Sequence, residues 1–242
     1  MVASSRPIDR PSATDSDSEQ IVPSPLSRTK YGYDNTGQLT SAVHSYQADE
    51  VYSFDRNGNR TNSGYQTGTN NQLLTDGTFD YEYDGEGSRT KKTTIATGES
   101  VVYGWDHRNR LTSVTYKNAG GTVTKKVVYT YDMWDRRIGK RVDDDGDCTI
   151  DRGRWFVYDG SDIVLLFDDD GSLTNRHLPG SAVDQIFASE DELGKVLWAL
   201  ADNQGTVRDI VEYDSVLDQT DVVNHLKFDA FGKITQESDA SE

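Results

Sequence analysis

An aromatic-x-aromatic-Asp-x-x-Gly signature recurs along this chain, and an internal repeat constrains a fold more tightly than any overall composition. It reads Tyr31-Gly-Tyr33-Asp34-x-x-Gly37-Gln-Leu39-Thr40, then Tyr52-Ser-Phe54-Asp55-x-x-Gly58-Asn-Arg60-Thr61, then Tyr81-Glu-Tyr83-Asp84-x-x-Gly87-Ser-Arg89-Thr90. Two further copies are Tyr103-Gly-Trp105-Asp106-x-x-Asn109-Arg-Leu111-Thr112 and Tyr129-Thr-Tyr131-Asp132-x-x-Asp135-Arg-Arg137-Ile138. Weaker copies centre on Asp159, Asp168, Asp202 and Asp229. Over the first five the Asp-to-Asp steps are 21, 29, 22 and 26 residues.

The unit has a mechanical reading. Two aromatics at spacing 2 share one face of a strand. Asp-x-x-Gly is a turn in which the carboxylate bonds backbone ahead of it and Gly, or Asn109, takes a positive φ. The residues after the Gly begin the return strand, so each unit is a β-hairpin. About nine units supply roughly 15–20 strands at about 5–6 residues each. The acids agree: the 242 residues hold 31 Asp but only 10 Glu, and Asp favours turns where Glu favours helices. At least seven Asp occupy the same repeat position. The net charge of −16 is thus largely a by-product of turn chemistry.

Other classes are excluded or disfavoured. No apolar run approaches the roughly 18 residues of a membrane helix, and residues 1–10 show no secretory h-region. A charge of −16 opposes general nucleic-acid binding, which needs clustered Lys and Arg. Cys148 is the sole cysteine, so no internal disulfide or multi-Cys zinc site exists. Its carboxylate neighbours disfavour a nucleophilic thiolate. His44, His107, His177 and His225 lack metal-ligand spacing, and no hydrolase, nucleotide or metalloprotease motif is present.

The chain divides by composition. Residues 1–30 carry four of the five prolines and no aromatic, the pattern of a disordered tail. Residues 31–140 hold the clear repeats, 141–154 an acidic loop, and 155–242 degenerate repeats. The stretch from Ser181 to Leu200 has some helical character, but Gly194 interrupts it and a hairpin turning at Glu190–Gly194 is preferred.

These units resemble the YD repeat of the RHS (rearrangement hotspot) proteins, whose relatives include toxin-complex shells and teneurins. The resemblance runs over roughly residues 30–235. Trp198-Ala-Leu-Ala-Asp202-Asn-Gln-Gly205-Thr-Val-Arg208 and Phe228-Asp229-Ala-Phe231-Gly232-Lys233 resemble the opening of the RHS-associated core segment. The resemblance implies an all-β chain of consecutive antiparallel hairpins in one curved or spiralling sheet, a partial shell around a polypeptide cargo. The autoproteolytic motif and toxin that follow in the family are not in this sequence, so the expectation is a non-enzymatic scaffold, a gene fragment or one piece of a larger shell. A carbohydrate-binding surface module is an alternative reading, and a remnant of an autoproteolytic toxin shell is another. Partners would be a cargo, the rest of a shell, surface carbohydrate or further copies joined through open sheet edges, with no nucleic acid and no membrane span. The family works outside the cell or at its surface; a gene fragment would stay cytoplasmic.

One loop carries candidate ligands. In Asp143-Asp-Asp145-Gly-Asp147-Cys-Thr149-Ile-Asp151, the residues Asp143, Asp145, Asp147, Thr149 and Asp151 fall at positions 1, 3, 5, 7 and 9 of a calcium loop. Cys148 stands where such loops need Gly, and Arg154 where they place a bidentate Glu. A solvated acidic hairpin tip is the competing reading, as it is for Asp168-Asp-Asp170. The repeat aromatics are expected to pack as core, and Arg60, Arg89, Arg110, Arg137 and Arg208 to pair with Asp of neighbouring units.

Overall fold

The computed structural model describes residues 28–182 and 185–239. Most of the expected 1–30 tail therefore lies outside the described residues; the first strand starts at Thr29. The strands are β1 (Thr29–Tyr33), β2 (Leu39–His44), β3 (Glu50–Val51), β4 (Tyr65–Thr67), β5 (Leu73–Asp76), β6 (Phe79–Tyr83), β7 (Arg89–Thr94), β8 (Ser100–Trp105), β9 (Leu111–Lys117) and β10 (Val123–Tyr131). They continue as β11 (Arg137–Asp143), β12 (Arg152–Asp159), β13 (Asp162–Asp168), β14 (Leu173–Pro179), β15 (Ile186–Asp191), β16 (Val196–Ala201), β17 (Val207–Asp214), β18 (Gln219–Phe228) and β19 (Ile234–Glu237). Among the described residues there is no α-helix, only a 3-10 turn at Thr69–Asn71. The stretch around Gly194 is the hairpin β15–β16.

Every named pairing joins consecutive strands, antiparallel throughout. Strands β4 to β19 form one sixteen-stranded sheet, and β1–β3 a separate three-stranded one. The intervening residues make one short extra hairpin through the Phe54–Arg60 bridge.

The repeat turn explains this uniformity. In the first copy, Gly37 N–H donates to the Asp34 carbonyl at 3.1 Å and Asp34 N–H to Gln38 O at 3.0 Å. Asp34 Oδ1 accepts the N–H groups of Thr36 at 2.8 Å and Gln38 at 2.9 Å. This is a type I turn closed by a residue with φ near +80°, followed by a bulge. The same backbone frame recurs at Asp55, Asp84, Asp106, Asp132, Asp168, Asp191, Asp202 and Asp229, and with asparagine at Asn118. Asn109 and Asp135 take the positive φ where glycine is missing. Asp159 does not build this frame; β12 and β13 are joined by Gly160–Ser161 alone.

Strand direction alternates, so the connections line two rims. The turns at Asp34, Asp55, Asp84, Asp106, Asp132, Asp202 and Asp229 lie on what we term the upper rim. Asn118, the 144–151 loop, Asp168, Asp191 and the β17–β18 turn lie on the lower rim.

The wall is one sheet thick. Val114, Val127 and Val142 are buried side by side across β9, β10 and β11, packed by Val101, Tyr103, Leu111 and Tyr129. The repeat rings do not form the closed core expected of them. Tyr103, Trp105, Tyr129 and Tyr131 are half-buried, and Tyr31 and Tyr33 are exposed. A single sheet has no second layer to cover its faces, so arginines cover part of the rings instead.

Candidate functional site

The repeat arginines divide by the geometry of the bulge. Arg110 and Arg136 follow the positive-φ residue and turn back to their own Asp, Arg136 Nε meeting Asp132 at 2.7 Å. Arg110 also reaches Asp135 of the next unit at 2.9 Å, which is the inter-unit pairing expected from sequence. Its guanidinium holds the Asp106 carboxyl down to about 2. Arg208 returns to its own-unit Asp202 at 2.8 Å. Arg60, Arg89 and Arg137 correct the expectation: they lie over rings. Arg89 sits 4.5 Å above Tyr81, and Arg137 stands 5.3 Å from Tyr129 and 5.4 Å from Phe156. One residue later in the turn the side chain lies over the aromatic face, whereas Arg110 and Arg136 reach both their own carboxylate and a ring, 5.0 Å from Tyr131 and 4.9 Å from Tyr158.

The first and last described strands meet. The lower rim of β1–β3 rests on the upper rim of β16–β19, with Glu50 as the hub. Its carboxylate accepts the Ala230 N–H at 3.1 Å and the Tyr52 hydroxyl, and meets His44 Nε2 at 2.7 Å. The His44 side chain is 1% exposed, and its Nδ1 is 2.9 Å from Thr29 Oγ1. Gln47 donates to the Phe228 carbonyl at 3.0 Å and accepts from Thr235 Oγ1 at 2.7 Å. Phe231 stands edge-on to Tyr52 with centroids 4.8 Å apart, and Arg60 lies 4.2 Å from the Phe231 centroid. A cavity of about 380 Å³ sits in this seam between Tyr31, Tyr46, Asn203, Arg208 and His225. Among the described residues no strand pairing closes the ring; the contact is made by side chains and turns.

The acidic loop sits on the lower rim between β11 and β12. Carboxylate oxygens of Asp143, Asp145 and Asp151 lie within 4.8 Å of one another. Asp147 is not in that group; its Oδ1 accepts the Thr149 N–H at 2.7 Å. Asp143 is 2% exposed, and its two oxygens accept the N–H groups of Gly146 at 2.6 Å and Cys148 at 3.0 Å. Cys148 takes a φ of 76° in the place of the usual glycine. Asp144 is held well below the usual carboxylate range by Arg152 and Lys125. At the second acidic tip, Asp168 Oδ1 and Asp170 Oδ1 both accept the Ser172 N–H, as a hairpin turn requires.

Sequence reasoning placed a turn at Glu190–Gly194 without assigning Asp191 to the repeat frame, and it missed the turn residue Asn118 and the seam residues Gln47 and Glu50. Asp191-Glu-Leu-Gly194 spells the motif but lacks the aromatic pair before it. Nothing local marks Gln47 or Glu50.

A one-layer meander of repeat hairpins whose ends meet rim to rim defines a repeat-built β-wall. The chain belongs to the teneurin YD-shell family, whose family model matches residues 16–241. Comparison with the curated proteins returned no match. Among solved structures, the chain is similar to the crystal structure of TcdB2-TccC3, at 11% identity and TM-score 0.35, over 86% of this chain and 12% of that one. It is similar to the Photorhabdus luminescens Tc holotoxin pore at 12% identity and TM-score 0.35, again over 86% and 12%. A porin-like protein from Bacteroides uniformis matches at 11% identity and TM-score 0.38, over 81% of this chain and 88% of that one. The chain thus spans about an eighth of the toxin-complex chains it matches. Among the described residues no helix is long and apolar enough to cross a membrane.

Proposed function

We propose that this chain is a non-enzymatic segment of an RHS-type shell wall, working outside the cell or at its surface, that encloses or displays a polypeptide. The observation that carries this reading is the seam: a wall whose first strands, β1–β3, rest on the rim of its last strands surrounds a space. About seventeen strands at about 4.8 Å give a circumference near 80 Å and a width of about 25 Å between backbones. Less two side-chain layers, this leaves room for an extended chain or one helix of about 10–12 Å. The carbohydrate reading is weaker, because guanidinium groups already lie over Tyr52, Tyr81, Tyr129, Tyr131 and Phe156, faces that a sugar would need. The test is a fusion carrying a foreign unfolded polypeptide after Glu242. Slowed proteolysis of that segment is expected, and cleavage at the rate of the free peptide would overturn enclosure.

The gathered oxygens of Asp143, Asp145 and Asp151 favour a second role, low-affinity calcium binding at the lower rim. Calcium takes several carboxylate oxygens at 2.3–2.6 Å, and extracellular sites work at about 10⁻⁴–10⁻³ M.

A further inference from the structure

We propose that copies of this chain add head to tail along the coil, the lower rim of one copy resting on the upper rim of the next over β10–β15. This rests on the wall reading above and names a partner for it.

The seam supplies the precedent. In the turn at Asp229, the carboxylate accepts the N–H groups of Phe231 at 2.9 Å and Lys233 at 2.8 Å. That frame presents Ala230 to Glu50 and Phe231 to Tyr52 and Arg60. The turn at Asp132 has the same frame, with its carboxylate accepting from Trp134 and Arg136, both at 2.9 Å. Met133 and Trp134 stand where Ala230 and Phe231 stand, and they are 74% and 68% exposed. Beside them an upper-rim groove of about 430 Å³ runs between Tyr131, Tyr158, Ile163, Pro179 and Ile186.

The path of the coil selects the occupant. Strands β1–β3 lie over β16–β19, so a wall extended beyond β1 would lie over β15 and then back toward β10. Among the described residues, the outer edges of β1 and β19 are both unpaired. A second copy whose β19 adjoins β1 would set its own lower-rim turns of β13–β18 over this groove. Those turns carry Leu193, Val216 and Leu217, which are 87%, 90% and 67% exposed. Apolar tips then meet the aromatic and aliphatic part of a groove whose wall also holds Asp135, Arg136, Arg137 and Asp162. The acidic lower rim meets arginines at Arg108, Arg136 and Arg137, whereas lower rim against lower rim would set carboxylates against each other. The contact is heterologous and does not close, so copies extend a coil instead of forming a dimer.

Sedimentation velocity over a concentration series tests this with three proteins: wild type, an upper-rim variant (Met133→Ser with Trp134→Ser) and a lower-rim variant (Leu193→Ser, Val216→Ser and Leu217→Ser). The substituted side chains are exposed, so unchanged circular dichroism is expected. Wild type should grow past the dimer as concentration rises, and each variant alone should lose at least tenfold in association. A mixture of the two variants keeps one intact interface per pair and should stop at a heterodimer. A wild type that stays monomeric or stops at two, variants that associate as wild type does, or a mixture that stays monomeric would overturn head-to-tail stacking. The protease-protection test of enclosure by a single wall reads out separately, so the two can fail independently.

Discussion

Gln47 donates its side-chain amide to the carbonyl of Phe228, 181 residues away, at 3.0 Å. With the Glu50–Ala230 contact beside it, this bond joins the first and last parts of a meander whose strand ladders never reach beyond the next strand. The seam is thus a separable feature of the wall, and it turns on Glu50.

Glu50→Ala takes the carboxylate partner from Nε2 of the buried His44, whose Nδ1 keeps Thr29, and leaves the Ala230 N–H without its acceptor. The expected cost is about 1–3 kcal/mol for the unpaired polar group. Hydrogen exchange should rise over β1–β3 and β19 while β8–β12 keep their protection. Uniform loss across the chain, or no change, would show that the seam is not held through Glu50.

The repeat turn should fail in two distinguishable ways. Asp202→Ala removes the acceptor for Gln204 and Thr206 N–H and the partner of Arg208. Denaturant unfolding should register a loss of about 1–2 kcal/mol. Gly205→Ala keeps those bonds but forces a side chain to φ +80°, at about 1–2 kcal/mol, although open space surrounds it. A free Gly205→Ala substitution would mean that the turn tolerates another backbone.

Acid should loosen the rims. Hydrogen bonds hold Asp34, Asp55 and Asp106 below the ordinary carboxylate range: chiefly from the Thr36 hydroxyl, the Asn59 amide and the Arg110 guanidinium. A folded-state pKa lower than the unfolded one stabilises above the unfolded value and is lost as pH falls through the folded value. Melting temperature should therefore hold its value above about pH 5 on account of these groups and fall between about pH 4 and pH 2. Rising stability over that acid range would contradict the turn frame.

At the acidic loop, Cys148→Gly replaces a strained left-handed residue with the one that suits it. Stability should rise by about 1 kcal/mol. Titration calorimetry with calcium should give heat in the millimolar range or just below, tighter in Cys148→Gly and absent in Asp145→Ala. Wild type without heat up to several millimolar would leave the loop as a plain hairpin tip.

What was legible from the sequence was local. The aromatic pair and Asp-x-x-Gly are complete within ten residues, so hairpins, β class and strand number could be read directly. Asn118 and Asp191 build the same frame from other neighbours, and their aromatic signal is absent. The burial of the rings was misjudged because period 2 reports which face a ring occupies, not whether a second layer covers it. Arg60, Arg89 and Arg137 differ from Arg110 and Arg136 by one position after the bulge: all five lie over rings, and the earlier position adds the return to the Asp of its own turn. Glu50 and Ala230 are 180 residues apart, and only the accumulated curl of the sheet brings them together.

Because each named ladder joins a strand only to its neighbours in sequence, the wall can be laid down in the order in which it is synthesised. Each hairpin finds its mate a few residues back, so loop closure costs little at every step. Contacts across about 180 residues form only once β18 and β19 exist. Folding would then resemble coiling a ribbon, with a late step in which the final turns catch Gln47 and Glu50. A chain interrupted before residue 228 would carry a sound wall that never acquires its seam.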